Sequence, residues 1–173
     1  MMPNKDEAEK ILTELDLLTR LNQLGFAELV GSVALDLIVK PDLDIHLLID
    51  AEDLIPTVHA VSDYLLDQPK VREVRITDWR SEGGIKIGVD AYPAPSGNWS
   101  IDIWITNDRH TTAFDFVQQM NAELTDEQRL TVMKIKQHFF QLGELKDGLS
   151  LKIYQAVVER GIRTVKEFLN SSK

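Results

Sequence analysis

Two carboxylates stand one residue apart in an otherwise mostly apolar run, Asp42-Leu43-Asp44-Ile45-His46-Leu47-Leu48-Ile49, and this run limits what the chain can fold into. Its apolar content suits a buried strand. Alternate strand residues share a face, so Asp42 and Asp44 point the same way, about 6–7 Å apart along the backbone. Leu43 and Ile45 face oppositely and can pack against a helix. Two carboxylates side by side repel each other, and burying them uncompensated is expensive. A divalent cation resolves the conflict, because hard ions such as Mg²⁺ prefer carboxylate oxygen and substrate phosphate. A third carboxylate occupies the same kind of setting in Ser100-Ile101-Asp102-Ile103-Trp104. If its strand lies beside the first, three carboxylates converge. They can then hold two ions about 4 Å apart, which clamps the attacking and leaving oxygens of phosphoryl transfer.

The rest of the chain supplies the frame. Residues 4–24 read as one amphipathic helix, with Ile11, Leu15 and Leu18 at helical spacing and Gly25 as a stop. Phe26–Val30 reads as a short strand, Val33–Ile38 as a brief helical turn and 52–67 as a helix. Further strands are expected at Val71–Thr77, Ile85–Tyr92 and Trp99–Thr106, separated by Gly83-Gly84 and Pro93-Ala94-Pro95-Ser96-Gly97. After His110 only helices are expected, at 111–123, 126–142, 150–160 and 164–171. Thr125–Gln128 and Thr164–Glu167 match the capping-box pattern. The expected fold is α/β (α+β), a mixed, roughly five-stranded sheet flanked by helices. Residues 1–108 form its core, and 109–173 a C-terminal helical segment packed on it.

Between the first two strands, Gly31-Ser32 complements the acidic residues. Glycine lets a phosphate approach the backbone, and a serine hydroxyl with the N–H groups of a following turn can bind phosphate oxygens. An apolar residue, Gly-Ser, a spacer, Asp-apolar-Asp-apolar and a later acidic strand residue together resemble the signature of the DNA polymerase β-like nucleotidyltransferase superfamily. The stretch GSVALDLIVKPDLDIHLLI is also similar to its GrpB-like branch, with Lys40 and Pro41 in place. The resemblance covers roughly residues 26–106 and departs from the pattern at Glu28.

It implies that Gly31 and Ser32 hold the triphosphate of an NTP donor. Asp42 and Asp44 bind Mg²⁺, two ions in all, and Asp102 completes the metal site and helps activate an acceptor hydroxyl. The implied reaction moves a nucleoside monophosphate to that hydroxyl with release of pyrophosphate. The alternative is a non-catalytic nucleotide- or protein-binding module on the same fold.

Composition enters through the acceptor. The 173 residues hold 19 Lys+Arg against 28 Asp+Glu, a formal charge of −9. Nucleic-acid affinity comes largely from neutralised phosphates, so no broad nucleic-acid surface is expected. A small or cationic acceptor, such as an antibiotic-like molecule, is favoured, with a protein partner also open. No cysteine is present, which excludes disulfides and thiolate chemistry. The opening MMPNKDEAEK lacks a signal-peptide apolar stretch and no run spans a bilayer, so the expectation is a cytoplasmic protein without membrane contact.

Several residues keep two readings. Lys40 reads as a phosphate contact or an exposed loop lysine, and His46 as a pocket residue or a satisfied core histidine. Lys86 reads as the wet face of its strand, Tyr154 as core or a base-stacking ring, and Lys134, Lys136 and His138 as a solvated helix face. Trp79, Trp99 and Trp104 read as packing anchors.

Overall fold

Residues 26–48 set the pattern for the sheet. Phe26–Val30 (β1) turns through a one-turn helix, Gly31–Ala34 (α3), into Asp42–Leu48 (β2). The structure, a computed structural model, describes residues 3–146 and 148–171. Arg75–Trp79 (β3), Gly84–Ala94 (β4) and Gly97–Thr106 (β5) complete a five-stranded sheet of order β1-β2-β5-β4-β3. Only β2 and β5 run parallel; the other neighbours are antiparallel, so the sheet is mixed as expected. A parallel pair needs a crossover. Here it runs through Ile55–Leu66 (α4) and the β3–β4 hairpin.

One sheet face is the core. Leu43, Ile45 and Leu47 of β2 and Ile101, Ile103 and Ile105 of β5 are fully buried, joined by Ile85 and Ile87 of β4. The same cluster takes in Ile11, Leu15 and Leu65 from helices α1 (Lys5–Glu14) and α4 and the link after α1. Each such side chain contributes roughly 1.5–3 kcal/mol of transfer free energy.

The helix expected over 4–24 is in fact two, α1 and Leu17–Leu21 (α2), separated at Asp16 with φ 44°. Residues two apart on one helix lie about 200° apart. Breaking the helix between them lets Leu15 and Leu17 both enter the core, at 2% and 0% exposure. Aspartate tolerates the left-handed backbone that the break requires. The turn expected at Val33–Ile38 begins earlier, at Gly31. The strand expected at Val71–Thr77 begins later, at Arg75, after a turn in which Val71 N–H donates to the Gln68 carbonyl. Strand β4 runs on through Pro93, which pairs with Asn98, leaving Pro95-Ser96 as the turn. Glu7 anchors that turn, accepting from Ser96 N–H at 2.9 Å and from the Trp99 indole at 3.2 Å. Trp99, fully buried, is the packing anchor expected of it.

By compactness the chain divides into a unit through Val117 and a unit from Gln118. The division falls within the helix Phe114–Glu123 (α5). The first unit extends past the last strand because Phe114 is buried and its ring packs edge-on against Phe26 of β1. The second unit holds Asp126–Gln141 (α6), Leu149–Glu159 (α7) and Val165–Ser171 (α8). Thr125 and Gln128 form the expected capping box. At α8 only half of the box forms: Thr164 accepts from Glu167 N–H, while the Glu167 carboxylate takes Arg163 N–H.

The solvated face expected for Lys134, Lys136 and His138 is corrected at Lys136, which is 2% exposed with its ammonium 3.1 Å from the Tyr154 hydroxyl. Val132, Ile135, Lys136 and Phe139 share one helical stripe, and the long aliphatic stem lets lysine occupy an apolar position. Tyr154 is buried core.

Candidate active site

The second sheet face carries the acidic residues. Register across the parallel pair sets Asp44 beside Asp102 and Asp42 beside Ser100. Each of Asp42, Asp44 and Asp102 offers a carboxylate oxygen, and the three lie within 4.8 Å of one another. Residues 58 and 60 positions apart in the chain are thereby made neighbours, and all three remain half-buried rather than sealed. Three hard oxygen donors at this spacing match what Mg²⁺ takes from a protein while leaving room for substrate phosphate.

Each outer carboxylate has partners of its own. The Ser100 hydroxyl donates to Asp42 at 2.6 Å, and the Lys40 ammonium lies 2.8 Å from its other oxygen. On the far side, the Lys86 ammonium lies 3.0 Å from Asp102. Burial, and after it the charges of Asp42 and Asp102, pushes the Asp44 carboxyl up to about 7, with Lys40 and Lys86 offsetting part of the rise. Burial also raises Asp102, opposed by the hydrogen bond and charge of Lys86. The central carboxylate is thus the one the fold leaves short of positive charge.

Gly31 lies directly over it. Val30, the last β1 residue, pairs with Asp44, and the chain then turns at Gly31 with φ +66°. A Cβ there would stand 2.4 Å from an Asp44 carboxylate oxygen. Backbone conformation and contact therefore both demand glycine. Ser32, half-buried, follows in α3, and its carbonyl accepts from Leu37 N–H at 2.8 Å. The Gly-Ser element does stand beside the acidic strand.

His46 shares the face of Asp42 and Asp44. Its Nδ1 accepts from Ala113 N–H at 2.9 Å, and burial pulls the imidazole down to about 4. At neutral pH it is uncharged, with its proton on Nε2, and it fastens the segment after β5 to the sheet. Glu28 pairs with His46 on the same face and is exposed. Trp104 continues the face, its ring against Gly84 and its indole N–H 3.4 Å from the Thr111 hydroxyl.

Lys86 is the residue that sequence reasoning passed over as a wet strand face. The signal was present: a polar residue between Ile85 and Ile87, the same setting that singled out Asp102. Facing parity alone could not say which sheet face carried the acids.

No family model and no curated protein sequence matches the chain. Solved structures do. The Cid1 poly(U) polymerase bound to MgATP superposes with a TM-score of 0.67 at 17% identity, over 94% of this chain and 52% of that one. A GLD-2/RNP-8 complex gives 0.62 at 16%, over 88% and 50%. A cytoplasmic RNA terminal U-transferase gives 0.55 at 20%, over 76% and 39%. The chain spans about half the length of these proteins or less, and at such identities the likeness is one of fold. What the likeness shows is a nucleotidyltransferase-like α+β fold with a mixed five-stranded sheet, in line with the expected fold class.

These neighbours overturn one expectation. A small-molecule acceptor without a nucleic-acid surface was read from the net charge, yet the similar structures include an RNA terminal U-transferase and a poly(U) polymerase. Net charge averages over the whole surface. It does not report the few groups that engage one end of a polymer. Among the described residues no helix is long and apolar enough to cross a membrane.

Proposed function

We propose that the protein is a metal-dependent nucleotidyltransferase that moves a nucleoside monophosphate from an NTP to a terminal hydroxyl of an RNA. The observation that carries the reading is the convergence of Asp42, Asp44 and Asp102 within 4.8 Å beneath Gly31. The fold neighbours support the donor and metal, being structures with MgATP or MgGTP bound. They also support the acceptor class, through the RNA terminal U-transferase among them.

In this reading Asp42, Asp44 and Asp102 would hold Mg²⁺, with two ions expected. The metal, when bound, neutralises charge on the triphosphate and on the departing pyrophosphate. The protein groups do the rest. Gly31, lacking a side chain, admits the triphosphate close to the backbone, and the Ser32 hydroxyl and Lys40 ammonium donate to its oxygens. Asp102, whose carboxyl burial raises above the ordinary carboxylate range against the opposing Lys86 ammonium, takes the proton of the acceptor hydroxyl. The acceptor oxygen then bonds to the α-phosphorus as the bond to the bridging oxygen breaks and pyrophosphate leaves. Ser100 holds Asp42 in orientation from the neighbouring strand. The α/β part of the chain, 1–108, carries the chemistry, and a cytoplasmic location suits an RNA acceptor.

The test is transfer of label from α-³²P-NTPs, with Mg²⁺ or Mn²⁺, to short RNA oligonucleotides. Extension of the RNA by labelled nucleotides, lost in Asp42→Asn and Asp44→Asn, is the expected result. Nucleotide binding without pyrophosphate release from any NTP would instead identify a non-catalytic module.

A further inference from the structure

We propose that Lys86 is a tethered counter-ion of this site, pairing with Asp102 in metal-free protein and passing its ammonium to a phosphate oxygen of the nucleotide when donor and metal bind. The inference rests on the nucleotidyltransferase reading and adds a residue that the resemblance does not supply.

The residue directly opposite Asp102 on β4 is not Lys86 but Gly88. A Cβ at Gly88 would come within 3.3 Å of an Asp102 oxygen, so the position facing the carboxylate is left open. Lys86 lies two residues away on the same face, level with Trp104, and reaches Asp102 along the sheet at 3.0 Å. Its flanking residues Ile85 and Ile87 are buried in the core, which holds the backbone in place. The Lys86 side chain is 38% exposed and that of Asp102 31%. The ammonium therefore sits at the open edge of the cluster on a flexible four-carbon stem, and it can be redirected by side-chain rotation alone.

The chemistry gives that freedom a direction. A carboxylate oxygen occupied by an ammonium is one that a hard cation must share or take over. An arriving triphosphate brings negative oxygens that compensate the displaced ammonium. Lys86 should thus oppose metal binding alone and favour metal with nucleotide. Lys40 makes a comparable contact with Asp42, from the loop before β2.

The experiment measures Mn²⁺ binding by the loss of free-ion paramagnetic resonance, and UTP binding in the presence of Mn²⁺, on the full chain. Lys86→Met is expected to bind Mn²⁺ alone about three- to tenfold more tightly and to bind UTP about tenfold more weakly. Lys86→Arg, which keeps the charge, should stay near the unsubstituted protein in both. Lys86→Gln repeats the test should the methionine variant fail to fold. Mn²⁺ binding that weakens or does not change in Lys86→Met overturns the proposal, as does unchanged UTP affinity. If the unsubstituted protein binds Mn²⁺ and UTP and Asp44→Asn does not, those failures fall on Lys86 alone. If the unsubstituted protein binds neither, the nucleotidyltransferase reading falls as well.

Discussion

The two faces of β2 and β5 are built from the same few residues in alternation, yet they solve opposite problems. Leu43, Ile45, Ile101 and Ile103 are excluded from water by helices and make the sheet stable. Asp42, Asp44 and Asp102, interleaved with them, are held half-open and gathered against their mutual repulsion. The apolar face contributes the free energy that lets the acidic face remain strained. A one-residue slip between β2 and β5 would break the arrangement on both faces at once.

Substitutions on the two faces should therefore separate function from stability. Asp44→Asn is expected to lower nucleotide transfer by about a thousandfold or more, measured as labelled product per minute, while the circular dichroism spectrum is unchanged. Leu47→Ala, on the opposite face, should do the reverse. It should cost about 2–5 kcal/mol in denaturant unfolding, with transfer per folded molecule little altered.

Gly31→Ala bridges the two. Its φ of +66° and the 2.4 Å approach to Asp44 predict about 1–2 kcal/mol of lost stability and a several-fold loss of Mn²⁺ affinity. Tight metal binding by this variant would show that the glycine serves the turn alone.

The last effect is the pH dependence. Asp44 is held up at about 7 in the folded protein against an ordinary 3.8. The folded state thus keeps a proton that the unfolded chain gives up. The stability this provides is complete below about pH 4 and is lost as pH rises through about 7. Thermal melts of metal-free protein should show this decline as a Tm that falls between pH 4 and 8. The decline should be reduced in Asp44→Asn and offset by Mg²⁺ in the unsubstituted protein. Melts of the two proteins that run parallel across this range would show that Asp44 ionises freely.

Much of the site was readable because strands expose their purpose through period two. Asp42, Asp44 and Asp102 each break an apolar run, and such breaks are rare enough to notice. The break at Asp16 was not readable: the heptad-like spacing continues across it, and only the need to bury both Leu15 and Leu17 interrupts the helix. Lys136 was misread for the opposite reason, since a charged residue on an apolar stripe looks like an exception until the tertiary structure supplies a hydroxyl for it. Lys86 carried the right local pattern, but its partner lies on another strand.

By itself the sequence determined which residues alternate, where glycine must turn the chain and which side chains can offer oxygen to a cation. Those are local properties, set by backbone geometry over a few residues. Which carboxylates meet, which lysines stand guard over them and how far burial shifts the central acid were decided only when β5 was inserted beside β2. Distance and solvent exclusion are properties of the assembled sheet, and no segment of the chain holds them alone.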